Sequence, residues 1–369
     1  MFGTVLTSLV TLMHAYVFWR LGSMPAIARA LPLRRRALVF AALWGIFILG
    51  RVYGHGNTGP LAATLEFLGM NWMGALFLIC TCLALADIVT CFGLLLRRHA
   101  ARIRLAALMA GVALAALALF QGLRPPVVES YEVRVPGLPP ELEGKTIAGL
   151  SDLHLGSLVG AGWLKGVVSR VQSLSPEMIV LLGDIIEGHD PPGAEILSEF
   201  RGLRAPMGVW AVPGNHDRFG GNGGFLRLLG DNGIHALNSG WQEAAPGIYM
   251  AGASAPRGRH NEADGCTYIT RALEGIPPGG LTILLSHYPD HPEQAAAGGV
   301  SLMLSGHTHG GQIWPFGYMV QRRYPFLKGM HDIDGMAFIV SRGASTWGPR
   351  MRLFSPGEIL HITLRRAAP

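Results

Sequence analysis

The hydrophobic pattern splits the chain into two parts that follow different rules. Residues 1–124 carry four long apolar runs with almost no internal charge: Phe2–Trp19, Ala37–Val52, Gly69–Leu96 and Leu105–Leu123. Each approaches or exceeds the ~20 apolar residues that take a helix across a bilayer. The expectation is four membrane-spanning helices, the second the shortest. The first run lacks a basic leader and three more follow it, which argues against a secretory signal. At Arg124-Pro125-Pro126 the pattern breaks, because proline stops a helix and pushes its predecessor toward extended structure. Val127–Val135 then alternates like a strand. Five short apolar runs read as buried strands: Thr146–Leu150, Met178–Leu182, Val209–Val212, Leu281–Leu285 and Val300–Leu304. With a helix expected over Gly162–Leu174, the order β-α-β followed by more strands indicates an α/β domain over residues 125–369.

Each of the five buried runs ends in polar residues of a restricted kind. They are Asp152-Leu153-His154, Gly183-Asp184, Gly214-Asn215-His216-Asp217, Ser286-His287 and Gly306-His307-Thr308-His309. Residues just past strand ends converge at one sheet edge, where active sites of α/β proteins gather. Two Asp, one Asn and four His there supply enough oxygen and nitrogen donors for two metal ions, and two metals point to phosphoester chemistry. With no thiolate in the set, Mn, Fe, Zn or Mg all suit it. A single histidine at a strand end is usually an ordinary hydrogen-bonded residue. The joint pattern is not, and the other nine histidines, among them His14, His99, His189, His260, His291 and His331, have no such support.

The five motifs, in this order, resemble the calcineurin-like metallophosphoesterases, whose pattern is D-x-H, GD, GNH(D/E), H, GHxH. The resemblance covers about residues 130–366. Leu138-Pro139, Gly144, Gly310-Gly311-Gln312, Arg342-Gly343 and Pro349-Arg350 resemble a membrane-associated bacterial branch. It implies a four-layer α-β-β-α sandwich and two divalent metal ions. Asp152, His154 and His309 would form one metal site, Asn215, His287 and His307 the other, and Asp184 would bridge them. It also implies that His216 protonates the leaving group and that Asp217 orients His216. Attack by metal-bound hydroxide on a phosphate monoester or diester is the expected reaction. Position 187, where purple acid phosphatases carry a tyrosine ligand, is Glu187. The arginine of the Ser/Thr protein phosphatase motif is missing, and Asp217 stands for their glutamate.

Composition and charge place this chemistry. The chain is 50% hydrophobic and only 15% charged, too apolar for an ordinary soluble enzyme. Arg20, Arg29, Arg34, Arg35 and Arg36 follow the first run, and Arg97, Arg98, Arg102 and Arg104 follow the third. The positive-inside rule puts those loops in the cytoplasm and the domain after residue 124 outside it, at the inner membrane facing the periplasm. Residues 1–124 hold 11 Arg, no Lys and 2 acids, a charge of +9, so the rest of the +6 chain carries −3. The basicity belongs to membrane topology, and a nucleic-acid partner is disfavoured. Anchoring suits a lipid-linked or cell-envelope phosphoester. The segment Gln312–Met330, with Trp314, Phe316, Tyr318, Tyr324 and Phe326 among Arg322, Arg323 and Lys328, reads either as a headgroup-binding rim or as a loop packed on the domain. Asp87, inside the third run, is expected to pair within a helix bundle or to reach water at a span end. Cys80, Cys82 and Cys91 read as packing residues of that run, and Cys266 is alone in the outer domain. An alternative of another class is a membrane sensor or assembly factor that keeps the fold without turnover; a missing ligand would favour it, and none is missing.

Overall fold

A computed structural model describes residues 2–57, 59–187, 192–217, 223–254 and 262–367. His189, His260, most of the Gly220–Gly224 loop and the centre of the Gly252–Asp264 loop lie outside the described residues, as does the side chain of Cys266. The chain forms two compact units. One is Met1–Arg124 with Gly348–Leu353; the other is Pro125–Trp347 with Phe354–Pro369.

The first unit holds helices α1 (Phe2–Gly22), α2 (Pro25–Ala30), α3 (Leu33–Leu49, continued by a wider turn over Gly50–Gly54), α4 (Pro60–Val89) and α5 (Ala100–Leu123). Four of them are long and apolar enough to cross a membrane. The third span departs most from expectation. It begins at Pro60, nine residues early, and ends at Val89, seven residues before Leu96. Proline at the first helical position needs no N–H partner and favours the start. Glu66, which made the sequence look too polar there, is buried and held by His55 at 2.9 Å. At the other end, Cys91, Phe92 and Leu96 take left-handed backbone that no helix continues. Asp87 is 1% exposed and pairs inside the bundle. Tyr16 Oη donates to it at 2.6 Å, Arg104 Nε at 2.9 Å, and Arg20 Nε lies 2.6 Å away. Small residues bring helices together: an added Cβ at Gly50 would strike the α4 backbone at Leu65, and one at Gly111 would meet Ile79 Cα at 2.7 Å. Gly348–Leu353, expected in the outer domain, packs with these helices; Arg352 N donates to Ala118 O at 2.8 Å.

The second unit contains strands β1 (Val127–Val135), β2 (Thr146–Leu150), β3 (Met178–Leu181), β4 (Val209–Ala211), β5 (His235–Ala236), β6 (Gly240–Ala245), β7 (Ile248–Ala253), β8 (Leu281–Ser286), β9 (Leu302–Ser305), β10 (Gly329–Ile333), β11 (Met336–Val340) and β12 (Glu358–Arg366). Its helices are α6 (Ala161–Ser173), α7 (Ala194–Phe200), α8 (Gly224–Asp231), α9 (Glu262–Leu273), α10 (Pro292–Ala297) and α11 (Gly317–Arg323). The strands form two six-stranded mixed sheets, ordered β1-β12-β2-β3-β4-β5 and β10-β11-β9-β8-β7-β6. Ile147, Val180 and Leu360 of one sheet meet Met250, Ile283 and Leu304 of the other in a shared core. A second core, with Leu164, Val168 and Leu229, seats α6 and α8 on the first sheet; a third, with Ile269, Ala272 and Ala295, seats α9 and α10 on the second. The layers therefore run helix, sheet, sheet, helix. Strands β2, β3 and β4 are mutually parallel, as are β7, β8 and β9. The carboxyl ends of β2, β3, β4, β8 and β9 lead into the motif loops, which is where ligand sites of parallel sheets form.

Candidate metal centre

The loops after β2, β3, β4, β8 and β9 bring the sequence-predicted residues into one buried cluster. Asp152 Oδ1 lies 3.4 Å from His309 Nε2, and His154 Nε2 lies 3.2 Å from His309 Nε2. On the other side, His287 Nε2 lies 3.2 Å from His307 Nδ1. Asp184 faces both groups through one oxygen, Oδ2, at 3.1 Å from His287 Nε2 and 3.9 Å from His154 Nε2. Its other oxygen accepts from the His216 backbone N–H at 2.8 Å. Asn215, next in the chain to that N–H, points a buried Oδ1 that has no hydrogen-bond partner among the described residues.

The backbone is bent to make this convergence possible. Asp152 (φ 53°), His154 (43°), Asp184 (50°), His307 (71°) and His309 (51°) all sit in the left-handed region that L residues avoid. The loops are stitched to hold it. Asp152 N donates to Gly183 O and His154 N to Asp184 O, both at 3.0 Å; Gly306 N donates to His287 O at 3.0 Å. The motif glycines admit no side chain: a Cβ at Gly306 would run into Ser151 Oγ and Asp152 Oδ2, and one at Gly214 into Asp184. Gly343, flagged in the sequence, brings its backbone against Asp152 for the same reason.

The donor set fits divalent cations. His154 Nδ1 donates to Glu187 Oε2 at 2.6 Å and His287 Nδ1 donates to Leu182 O at 2.8 Å. Both rings thereby turn Nε2 lone pairs inward, the tautomer a metal ligand needs. Asp152 and Asp184 are 0% and 2% exposed. Burial and the neighbouring Asp184 charge hold Asp152 above its usual range. Burial would also raise Asp184, but the charge and hydrogen bond of His287, with His154 and His216, hold it well below. Burial disfavours a charged His287, yet Asp184 and Asp152 lift it to about 9. Two carboxylates sunk in one cavity call for positive charge, and cations supply it.

Two sequence expectations need separate treatment. Asp217 does not orient His216. Its Oδ1 accepts from Ile185 N and Ile186 N, each at 2.9 Å, and its Oδ2 from Gly214 N at 2.8 Å. The carboxylate clamps two motif loops together because three backbone N–H groups curl toward it. Burial first, then the Asp184 charge, raise its pKa to about 6. The His216 imidazole is held instead by Glu187, whose Oε1 lies 3.0 Å from Nδ1. Burial would raise Glu187, but its bonds to His154 and His216 bring it down to about 2. Burial likewise opposes charge on His216, and Glu187 with Asp184 outweighs it, so its pKa is raised. The His216 side chain is 25% exposed against 3% for His154 and 2% for His287, so it faces the open side of the site. Glu187 was noted in the sequence only as a missing tyrosine; its spacing of three from Asp184 was the available signal.

The aromatic segment divides. Trp314 (41%), Phe316 (45%) and Tyr318 (67%) are exposed, and Arg322, Arg323 and Lys328 are exposed beside them. Tyr324 is buried with its ring 5.0 Å from His307, and Phe326 packs on Phe338. Gln312 exchanges two hydrogen bonds with the Trp347 backbone, and the Trp347 ring lies 5.8 Å from that of His216.

Residues 145–311 match the family model for calcineurin-like phosphoesterases. The chain is 31% identical over 272 residues to a "Transmembrane protein with metallophosphoesterase domain" of Danio rerio, and 32% identical over 276 residues to its counterpart in Bos taurus. In both cases the match covers 71% of this chain and 62% of the relative, so the chain spans under two thirds of their length. A metallophosphoesterase of Aquifex aeolicus is 30% identical over 240 residues, covering 64% of this chain and 91% of that protein. Among solved structures, a dimetal phosphatase from Danio rerio aligns at a TM-score of 0.35 and 16% identity, covering 55% of this chain and 88% of that one. With nearly the whole length of the Aquifex relative matched and every motif loop in place, this chain belongs to the calcineurin-like phosphoesterase family.

Proposed function

We propose that this protein is a membrane-anchored, dinuclear metal-dependent phosphoesterase. Asp152, His154 and His309 would hold one divalent cation and Asn215, His287 and His307 the other, with Asp184 facing both groups. The observation that carries this reading is the single Asp184 oxygen set between the two imidazole groups. Bound in pairs, divalent cations neutralise phosphoryl oxygens and acidify the attacking water. The side chains do the rest. His216, raised in pKa and facing the open side of the site, delivers a proton to the departing oxygen. Glu187 fixes the tautomer and aim of both His216 and His154. Asp217 keeps the loops in register.

The substrate in this reading is a lipid-linked or cell-envelope phosphoester met at the membrane surface, outside the cytoplasm. Supporting this are the four membrane-length helices, the arginine-rich loops after the first and third of them, and the exposed aromatic and basic residues from Trp314 to Lys328 in the segment that follows His309. The charge of −3 after residue 124 speaks against a nucleic acid.

The test is hydrolysis of p-nitrophenyl phosphate and bis-p-nitrophenyl phosphate by the full-length protein in nanodiscs, with Mn²⁺ supplied or chelated. Turnover that needs metal and is lost in Asp184→Asn is the expected result. Metal-loaded protein that hydrolyses neither these esters nor a phospholipid phosphoester would sink the proposal.

A further inference from the structure

The first unit contains a cavity of about 580 Å³ between the end of α1 and the start of α3. Its walls include Phe18, Trp19, Gly22, Ser23, Arg36 and Phe40. Gly22 ends α1, Ser23 follows it, and Arg36 lies on the first turn of α3, so the mouth sits at the arginine-rich end of the helices. Phe18 and Phe40 lie one helical turn further in, about 5–6 Å, with ring centroids 5.3 Å apart.

Arg36 is the informative residue. Its Nε is buried with no hydrogen-bond partner, and no ion pair to it exists among the described residues. The guanidinium lies so close to Gly22 that a Cβ there would collide with Nη1. The absent side chain thus makes room for a charge. A half-buried cation without a counter-ion is costly in a membrane unit. Its surroundings make this worse, since Arg34 and Arg35 flank it in the chain and Asp87, the buried acid paired near the end of α1, is already engaged by Arg20 and Arg104. A cavity of this volume, one wall aromatic and one wall cationic, matches a ligand that is apolar at one end and anionic at the other.

We propose that this cavity binds the phosphate headgroup of an anionic phospholipid from the leaflet that meets the arginine-rich loops. The phosphate pairs with Arg36, and the glycerol and first acyl carbons lie against Phe18, Trp19 and Phe40. A zwitterionic headgroup suits the site less well, because its ammonium would find no acidic residue among the cavity's lining residues.

Native mass spectrometry of the full-length protein, titrated with phosphatidylglycerol or phosphatidylcholine, tests this without reference to hydrolysis. Wild-type protein is expected to retain phosphatidylglycerol preferentially. Arg36→Gln should weaken that retention about tenfold, as expected for the loss of one charge-assisted hydrogen bond. Arg36→Lys should restore part of it, and Arg34→Gln, on the exposed face, should change it less than twofold. Ala37→Trp fills the cavity while leaving the charge, so it should also lose retention, and it decides the matter should Arg36→Gln fail to fold. Equal retention of phosphatidylcholine, displacement of phosphatidylglycerol by millimolar inorganic phosphate, or unchanged binding in a folded Arg36→Gln or Ala37→Trp would each overturn the proposal.

Discussion

Left-handed backbone at five residues of the candidate metal centre costs of order 1–3 kcal/mol each, and the hydrogen bonds between motif loops hold that strain in place. This decides how single substitutions act. Asparagine tolerates left-handed backbone, so Asp184→Asn should fold, with a lower metal-free melting temperature because His287 and His154 stabilise the ionised carboxylate in the native state. Removing the shared carboxylate should still cut the metal content from two ions to one or none and lower kcat roughly a thousandfold, equivalent to several kcal/mol of charge stabilisation. Metal analysis and calorimetry on the same sample check both. Glu187 acts through two imidazoles rather than on substrate. Glu187→Gln should therefore lower kcat by about 10–100-fold with little change in KM, and Glu187→Asp should recover part of it. A fall in KM alone, or equal loss in both variants, would contradict a positioning role. The sequence offers only its spacing: an acid three positions past Asp184 reads as one more loop acid until the fold shows which rings it meets.

At the scale of elements, the sequence was most legible where one physical rule dominates. The runs beginning at Thr146, Met178 and Leu281 are strands because an apolar run bounded by turn residues and buried on both faces has little else to become. Partners across the sheets were not legible. Strand β12 inserts between β1 and β2, pairing parallel to one and antiparallel to the other, and that depends on long-range packing rather than local pattern. The start of α4 was missed because Glu66 lowers local hydropathy, and a buried ion pair that cancels its charge is invisible in one dimension. The role of Asp217 is hidden from the sequence for a related reason. A carboxylate beside a catalytic histidine suggests the pair, yet three backbone N–H groups from two loops claim it. Asp217→Ala should leave those donors unsatisfied and cost about 2–4 kcal/mol, lowering the melting temperature by roughly 5–15 °C. Asp217→Asn, which keeps one acceptor oxygen and turns the other into an NH₂ donor, should fall between. A thermal shift for Asp217→Ala within a degree of wild type would show that the clamp adds nothing.

For the whole molecule, four helices of membrane-crossing length, an even number, would return the chain to the side on which it started, so topology decides which phosphoesters the second unit can meet. In the proposed topology the arginine-rich loops are cytoplasmic and the metal centre lies outside the cytoplasm. Asp87 agrees with that assignment in an indirect way: Arg20 and Arg104, one from each arginine-rich end, close on a single buried carboxylate. Those ends therefore lie at one membrane face, and the positive residues act together rather than cancelling across the bilayer. Cys91 offers a direct check, since it is exposed just past α4 on that same face. With Cys80, Cys82 and Cys266 replaced by serine, a membrane-impermeant maleimide should label Cys91 in inside-out vesicles and not in intact spheroplasts. The reverse pattern would put the metal centre in the cytoplasm and replace envelope lipids with cytoplasmic phosphoesters as substrates. The same preparation tests the aromatic rim. Trp314→Ala with Tyr318→Ala should lower the ratio of vesicle-borne to water-soluble ester turnover about tenfold, because side chains of this kind at headgroup level contribute on the order of 1 kcal/mol each. An unchanged ratio would assign that rim to packing, with the soluble ester the better guide to the substrate.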